Sequence, residues 1–380
     1  MKIVLLWLGA VAVAAALLVA AGFRSSDPDS ALYAKLAAAL STRPVDRWIA
    51  PEWGGEWNLQ GPFREHPVGI LLLPAAAMRL NVPPEQASYI VNMLYQVAVI
   101  LLIPAVASYV VASYEARTLA WGLQLLPVAF AYRIRANQEH PLLMAFLAML
   151  YATERARSNP AWTLLTVAAF CVFVLIKGAF AMFAFVAAAL WLAIIPRPEG
   201  GSDRWAWIGL IGAVAASVLL VVGYEAIYVR TTGESFLEFY RSRRLGDSMS
   251  LFSAGVFQHS LVNVWFYIQR VLWFAAPWSL FAIAAFWALA RSKVQGRAAR
   301  ALTWAGLIAA VYIVVLSPAL VRAERFIFPV YFIIGAVGLV TALRRFDGFS
   351  QFAARADRYS WLPIAVWMIT FLLSLGSKLI

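Results

Sequence analysis

Apolar runs long enough to cross a bilayer recur along the whole of this 380-residue chain. Residues 3–23 are almost wholly apolar. Similar stretches follow at 88–112, 118–132, 141–153, 162–176, 179–195, 205–229, 261–290, 301–320, 326–343 and 360–377. Inside lipid no water satisfies a peptide group, so each run must close its own backbone bonds as a helix. At about 20 apolar residues per crossing, with neighbouring loop residues completing the shorter runs, the pattern predicts about eleven transmembrane helices. Composition agrees, since 63% of residues are hydrophobic and 13% charged, against about 25% charged in a soluble domain. The runs are long and do not alternate, which argues against an outer-membrane barrel. The prediction is an all-α polytopic membrane protein whose residues 1–380 form one domain.

Short basic loops orient such a chain. The loops at 113–117, 154–160, 196–204, 291–300 and 344–358 carry arginines such as Arg117, Arg157, Arg204 and Arg344, and this places them in the cytoplasm with the N-terminus. The first run reads as a retained helix of the plasma (inner) membrane rather than a cleaved signal. Residues 67–80 are apolar but short, which suits an interfacial or re-entrant segment. The loops at 24–87, 133–140, 230–260 and 321–325 then face outward. Within 24–87, the first extracytoplasmic loop, residues 30–42 and 67–80 read as interfacial helices. The net charge of +12 is spread through short loops, and no basic-aromatic module points to nucleic acid. One cysteine, Cys171, and three scattered histidines exclude an internal disulfide and a zinc motif.

The outward loops hold more charge than topology needs. Arg133, Arg135, Arg241, Arg243, Arg244, Arg322 and Arg325 fit either an anionic ligand or outer-leaflet headgroups. Asp27 and Asp29 stand just past the first apolar run; Asp27 either caps the helix after Pro28 or joins a site. Glu65 and His66, then Glu139 and His140, precede prolines on the same side. Lys177-Gly178 interrupts the apolar stretch 162–195 and fits two short helices joined by an outward turn. Carboxylates can deprotonate an acceptor hydroxyl, and cations can hold a phosphate leaving group. Sugar transfer from a lipid phosphate requires both. Trp48, Trp53 and Trp57 fit sugar stacking or an aromatic belt.

In order along the chain, these short motifs resemble the GT-C glycosyltransferases, in the branch of the protein O-mannosyltransferases and the aminoarabinose transferase that modifies lipid A. Asp29 and Tyr33 match an Asp that follows the first membrane helix with a Tyr four residues on. Arg64-Glu65-His66-Pro67 takes the place of a Pro-containing motif ending the first loop. Glu139 takes that of an acidic residue in a second outward loop. Lys177-Gly178, Pro277-Trp278 and Arg325-Phe326 through Pro329 match later motifs. Two departures stand out: the family often has Asp where Glu139 stands and a basic residue where Leu32 stands. Many members also carry an added soluble domain that helps select the acceptor.

The resemblance implies an inverting transfer from a polyprenyl-phosphate sugar to a lipid, glycan or protein acceptor. It implies Asp29 as general base, with Glu139 as a second acidic group of the catalytic site. Lys177, with some of Arg64, Arg322 and Arg325, would steady the departing phosphate. Tyr33, Glu65, His66 and His140 would complete the substrate site. Glu139 and His140 would position either the acceptor or a divalent cation, with Asp29 as a third metal ligand; no cofactor is required by the sequence. The competing class is a transporter or flippase of lipid-linked saccharides or another anionic substrate. A transporter predicts charges at the bilayer midplane and an internal repeat, and neither is visible here.

Overall fold

The computed structural model describes residues 2–24, 27–55, 60–242, 256–319 and 321–379. Trp57, Arg243 and Arg244 lie outside the described residues. Helices account for nearly all regular structure there, and the one β-bridge, Glu52 with Pro62, is isolated. The helices are α1 (Lys2–Ala20), α2 (Pro28–Ser41), α3 (Gly69–Arg79), α4 (Pro84–Ala107), α5 (Ser113–Gly122), α6 (Pro127–Ala131), α7 (Glu139–Ala156), α8 (Trp162–Lys177), α9 (Ala181–Ile194), α10 (Asp203–Thr232), α11 (Phe236–Tyr240), α12 (Val256–Phe274), α13 (Trp278–Ala290), α14 (Gly296–Leu316), α15 (Phe328–Arg345), α16 (Asp347–Ala356) and α17 (Leu362–Leu379).

Their ends follow local chemistry. Asp27 caps α2, and Pro28 takes a first-turn position whose missing N–H costs nothing. Ser202 caps α10, and Gly233 ends it at φ +76°, a left-handed conformation suited to glycine.

The expected count of about eleven crossings is not reproduced. Among the described residues, six helical stretches are long and apolar enough to cross, or seven if α12 and α13 count as one bent span. Three causes are visible. The run 118–132 is divided into α5, a 3-10 turn at Leu123–Leu125 and α6, which starts at Pro127. The run 261–290 bends by 115° between α12 and α13, beside Pro277, which has no N–H to continue a helix. Glu154 and Arg155 close α7 with charge.

Residues 162–194 are continuous by length and apolarity but reverse at their middle. Arg157, just before α8, donates to the carbonyls of Leu192 (3.0 Å) and Ile195 (3.1 Å) at the end of α9. The start of α8 and the end of α9 therefore share one face, and Lys177 lies at the turn on the other. Gly178, at φ +59°, makes that turn.

The three largest apolar clusters among the described residues organise the fold. The main core gathers side chains such as Phe146, Trp191, Trp304, Tyr312 and Leu339 from α7, α9, α14 and α15. A second joins α1 to α17 and α4 through Trp7, Trp367, Phe371 and Met93. The third packs α2 on α3 through Leu32, Leu36, Leu40, Leu71 and Ala75, with Trp53 and Phe63. These are the two helices that the sequence places at the membrane surface. Gly69 opens α3 against the end of α8, where a Cβ would stand 2.6 Å from the Leu175 carbonyl oxygen. This close approach sets the 64–68 loop beside Lys177.

Gly338 plays the same part between α15 and α13, because a Cβ there would overlap the Trp278 carbonyl oxygen. A backbone oxygen cannot rotate away as a side chain can. Gly338→Ala is therefore expected to destabilise at or above the upper end of the about 1–3 kcal/mol usual for overpacking. The thermal midpoint in detergent reads this, and an unchanged midpoint would show that α13 yields freely.

Candidate functional site

The site forms where α2, the loop before α7, the α8–α9 turn and the turn before α15 meet. Its scaffold is Ser30 in the first turn of α2. The Ser30 N–H (3.0 Å) and hydroxyl (2.6 Å) both reach Asp27 Oδ2. The hydroxyl accepts from the Ala136 N–H (3.0 Å) and meets the Asn137 side-chain amide at 2.5 Å. The single Ser30 hydroxyl proton has two acceptors within reach, Asp27 Oδ2 and the Asn137 side-chain oxygen, and it ties both to the first turn of α2. Asp27 also faces Arg135 at 3.4 Å. Burial alone would raise the Asp27 pKa, but the Ser30 bonds and the Arg135 charge outweigh it and hold the carboxyl below its usual range. Asp27 is thus committed to structure, as its helix-capping reading predicts.

Asp29, two residues on, is partly exposed and forms an ion pair with Arg325. Arg325 lies in the 3-10 turn Glu324–Ile327, which runs into α15. The next residue, Phe326, has the Lys177 ammonium 5.8 Å from its ring centre, and Phe180 receives the same ammonium at 5.8 Å. Lys177 donates to the Gln138 side-chain oxygen. Glu139, buried at the start of α7, lies within the fields of Lys177, Arg135 and Asp27. The His140 ring meets Phe328 at 5.3 Å.

Tyr33 and His66 close the α2 side. The His66 Nδ1–H donates to the Pro67 carbonyl (2.9 Å), so Nε2 accepts from the Tyr33 hydroxyl (3.1 Å). Burial first, then the Lys177 charge, pushes the His66 pKa down to about 3. This imidazole is neutral at physiological pH.

The structure thus brings Asp29, Tyr33, His66, Glu139, Lys177 and Arg325 to one place from distant parts of the chain. Glu65 and His140 are buried at its edges. Arg64 and Arg322 stand apart from the ion pair. Arg64 binds Glu234 at 2.6 Å and lies 4.4 Å over the Phe239 ring, which fastens the segment leading into α11. Arg322 is exposed and lies 5.3 Å over Phe266. Sequence reasoning did not assign roles to Ser30, Asn137 and Gln138. The only signal was their adjacency to Asp29 and Glu139, which does not reveal a partner.

Glu139 Oε2, Tyr132 Oη and Arg325 Nε are buried without a hydrogen-bond partner. Such atoms are costly unless a ligand or water completes them. Among the described residues, no three of His, Cys, Asp and Glu come together as a metal site, and the Asp29 carboxylate is taken by Arg325. The residues present do not fit a divalent cation, so no chemical step is derived through one.

Beneath the site an apolar cavity of about 570 Å³ runs between α7, α14 and α15. Its lining includes Leu143 and Phe332, one helical turn below Glu139 and Phe328, and reaches Arg344 and Arg345 at the far end of α15. Pro329 and Arg345 both line it, so its length along the helix is about 24 Å at 1.5 Å per residue.

No family model and no curated protein matches this sequence. Solved structures match its fold. ArnT from Cupriavidus metallidurans bound to undecaprenyl phosphate matches at TM-score 0.70 and 15% identity, over 99% of this chain and 76% of that one. Its apo state matches at 0.63 and 16% identity, over 98% and 76%. The archaeal oligosaccharyltransferase AglB from Archaeoglobus fulgidus, in complex with an inhibitory peptide and a dolichol-phosphate, matches at 0.53 and 13% identity, over 98% of this chain and 56% of that one. The chain is a helical polytopic membrane protein with the fold of these structures.

Proposed function

We propose, on this shared membrane fold, that the protein is a glycosyltransferase. It would move a sugar from a polyprenyl-phosphate donor to an acceptor hydroxyl at the extracytoplasmic face, with inversion. One observation supports the reading: the Asp29 carboxylate pairs with Arg325, whose neighbour Phe326 has the Lys177 ammonium 5.8 Å from its ring centre. A base and a cationic cradle for a leaving phosphate thus stand together at one end of the helices.

The chemistry follows from that pairing. Asp29 takes the acceptor proton as the acceptor oxygen attacks the anomeric carbon. The bond from that carbon to the phosphate oxygen breaks, and the sugar gains oxocarbenium character in between. The phosphate leaves with its bonding electrons and an added negative charge, which Lys177 and Arg325 stabilise. Glu139, with His140 beside it, holds the sugar or acceptor by hydrogen bonds. His66, fixed in one tautomer, orients Tyr33 toward the same space. The apolar cavity below suits the polyprenyl chain, whose phosphate would sit at the top. The basic loops at the opposite end of the bundle support a cytoplasmic N-terminus and an extracytoplasmic site.

The test is direct. The purified protein is incubated with a panel of polyprenyl-phosphate sugars and membrane-extract acceptors, and released lipid phosphate is read by mass spectrometry. Release from at least one donor is expected. No release from any donor, by protein that is folded and monodisperse, would leave the transporter class as the better reading.

A further inference from the structure

We infer that Arg325 serves two anions in turn: it neutralises Asp29 until the donor arrives, then passes to the donor phosphate and frees Asp29 to act as base. The inference rests on the glycosyltransferase reading above and adds an order of binding to it.

Arg135 faces Asp27, which is further held by Ser30. Lys177 is bonded to the neutral Gln138 side chain. Asp29 and Arg325 meet as an ion pair, and the Arg325 Nε is buried without a hydrogen-bond partner. The guanidinium therefore has donor capacity that one carboxylate does not use. Both side chains are also open to ligand, Asp29 at 20% and Arg325 at 34% exposure. The pair can be parted without unpacking the core.

Such a pair is poorly set for base catalysis. A carboxylate bonded to a guanidinium has its charge neutralised and its lone pairs occupied, so it draws a proton weakly. A phosphate can compete for the same guanidinium, because the planar fork binds phosphate oxygens bidentately as it does a carboxylate, and the leaving phosphate gains negative charge as the reaction proceeds. Lys177, whose hydrogen-bond partner is the neutral Gln138 side chain, adds a second cation for that phosphate. Once the phosphate holds Arg325, Asp29 regains its basicity at the moment the reacting sugar is in place. The acceptor hydroxyl is then activated only in the presence of donor.

The two anions compete for one cation, so linkage fixes a sign. Removing the Asp29 charge must tighten lipid-phosphate binding, and must do so through Arg325. A merely structural ion pair would give the opposite result, because its loss would loosen the site.

Binding of radiolabelled undecaprenyl phosphate, which carries no sugar, is measured in detergent for the wild type, Asp29→Asn, Arg325→Gln and the double variant, with thermal midpoints recorded for each. Asp29→Asn is expected to bind roughly 10-fold more tightly, within the range typical of coupled sites. Arg325→Gln is expected to bind more weakly, and the double variant to show none of the gain. Equal or weaker binding by Asp29→Asn would overturn the exchange while leaving the transferase reading in place. A gain that persists without Arg325 would also overturn it, since a general relief of negative charge would then be the cause. No saturable binding by any of the four proteins would instead remove the transferase reading itself.

Discussion

Asp29→Asn is expected to slow sugar transfer roughly 10²–10⁴-fold, the usual share of a general base, while the folded protein is recovered normally. Asparagine keeps the shape of the side chain and can accept a hydrogen bond, but it cannot take a proton at neutral pH. Asp27 provides the matched comparison. It lies two residues away, yet its oxygens are committed to the Ser30 N–H and hydroxyl and face Arg135. Asp27→Asn should therefore act on α2 rather than on chemistry. The expected cost is at most about 0.5–2 kcal/mol, the range for losing a cap, with near-normal turnover by the protein that remains folded. Initial rates at saturating donor, set beside thermal midpoints, separate the two. If Asp27→Asn stops transfer at an unchanged midpoint while Asp29→Asn does not, the base has been assigned to the wrong carboxylate.

The sequence discloses these features unequally, for physical reasons. A bilayer span is a local property, and α1, α4, α10 and α14 are visible as apolar runs without knowledge of the rest. The reversal at Lys177-Gly178 is equally local, because a charge followed by glycine interrupts an apolar stretch. Capping by Asp27 follows from the Asp-Pro order. Averaged hydropathy, by contrast, does not register a single backbone break. It merges α5 with α6 across Pro127 and α12 with α13 across the 115° bend. Pairings are the least legible of all. Nothing around Arg325 indicates that its partner is Asp29, about three hundred residues earlier, and the order of motifs suggested only that both belong to one site. Nor does anything around Gln138 indicate that its side-chain oxygen receives the Lys177 ammonium. Arg157 is the clearest miss. A basic residue in a short loop looks like a topology signal, and here the side chain is fully buried.

That burial makes Arg157 the strongest expected effect on stability. Its guanidinium donates to Glu154 Oε2 at 2.8 Å and to the carbonyls of Leu192 and Ile195. Glu154 also accepts from the Trp191 indole at 2.7 Å, and the Arg157 carbonyl accepts from the Ser202 N–H at 2.8 Å. One residue thus joins the end of α7, the last carbonyls of α9 and the start of α10. Asp203 adds a contact to Arg157 Nε at 2.8 Å, but that contact is out of line for a hydrogen bond. The Asp203 side chain is also a third exposed, so its share is discounted for solvent screening. Arg157→Met would fill much of the same space. It would leave the Glu154 charge buried without its counter-ion and the α9 carbonyls without a donor. Breaking a buried pair from one side costs about 3–5 kcal/mol, and the thermal midpoint in detergent should fall sharply. The double variant Glu154→Gln, Arg157→Met should recover part of the loss, because the stranded charge is gone while the carbonyls stay bare. Since α9 returns from the turn that carries Lys177, heat should abolish transfer by the single variant well below the wild-type midpoint, even where its rate in the cold is normal. A midpoint unchanged by Arg157→Met would mean that water reaches Glu154 and the carbonyls, and that the staple does not hold this hairpin in place.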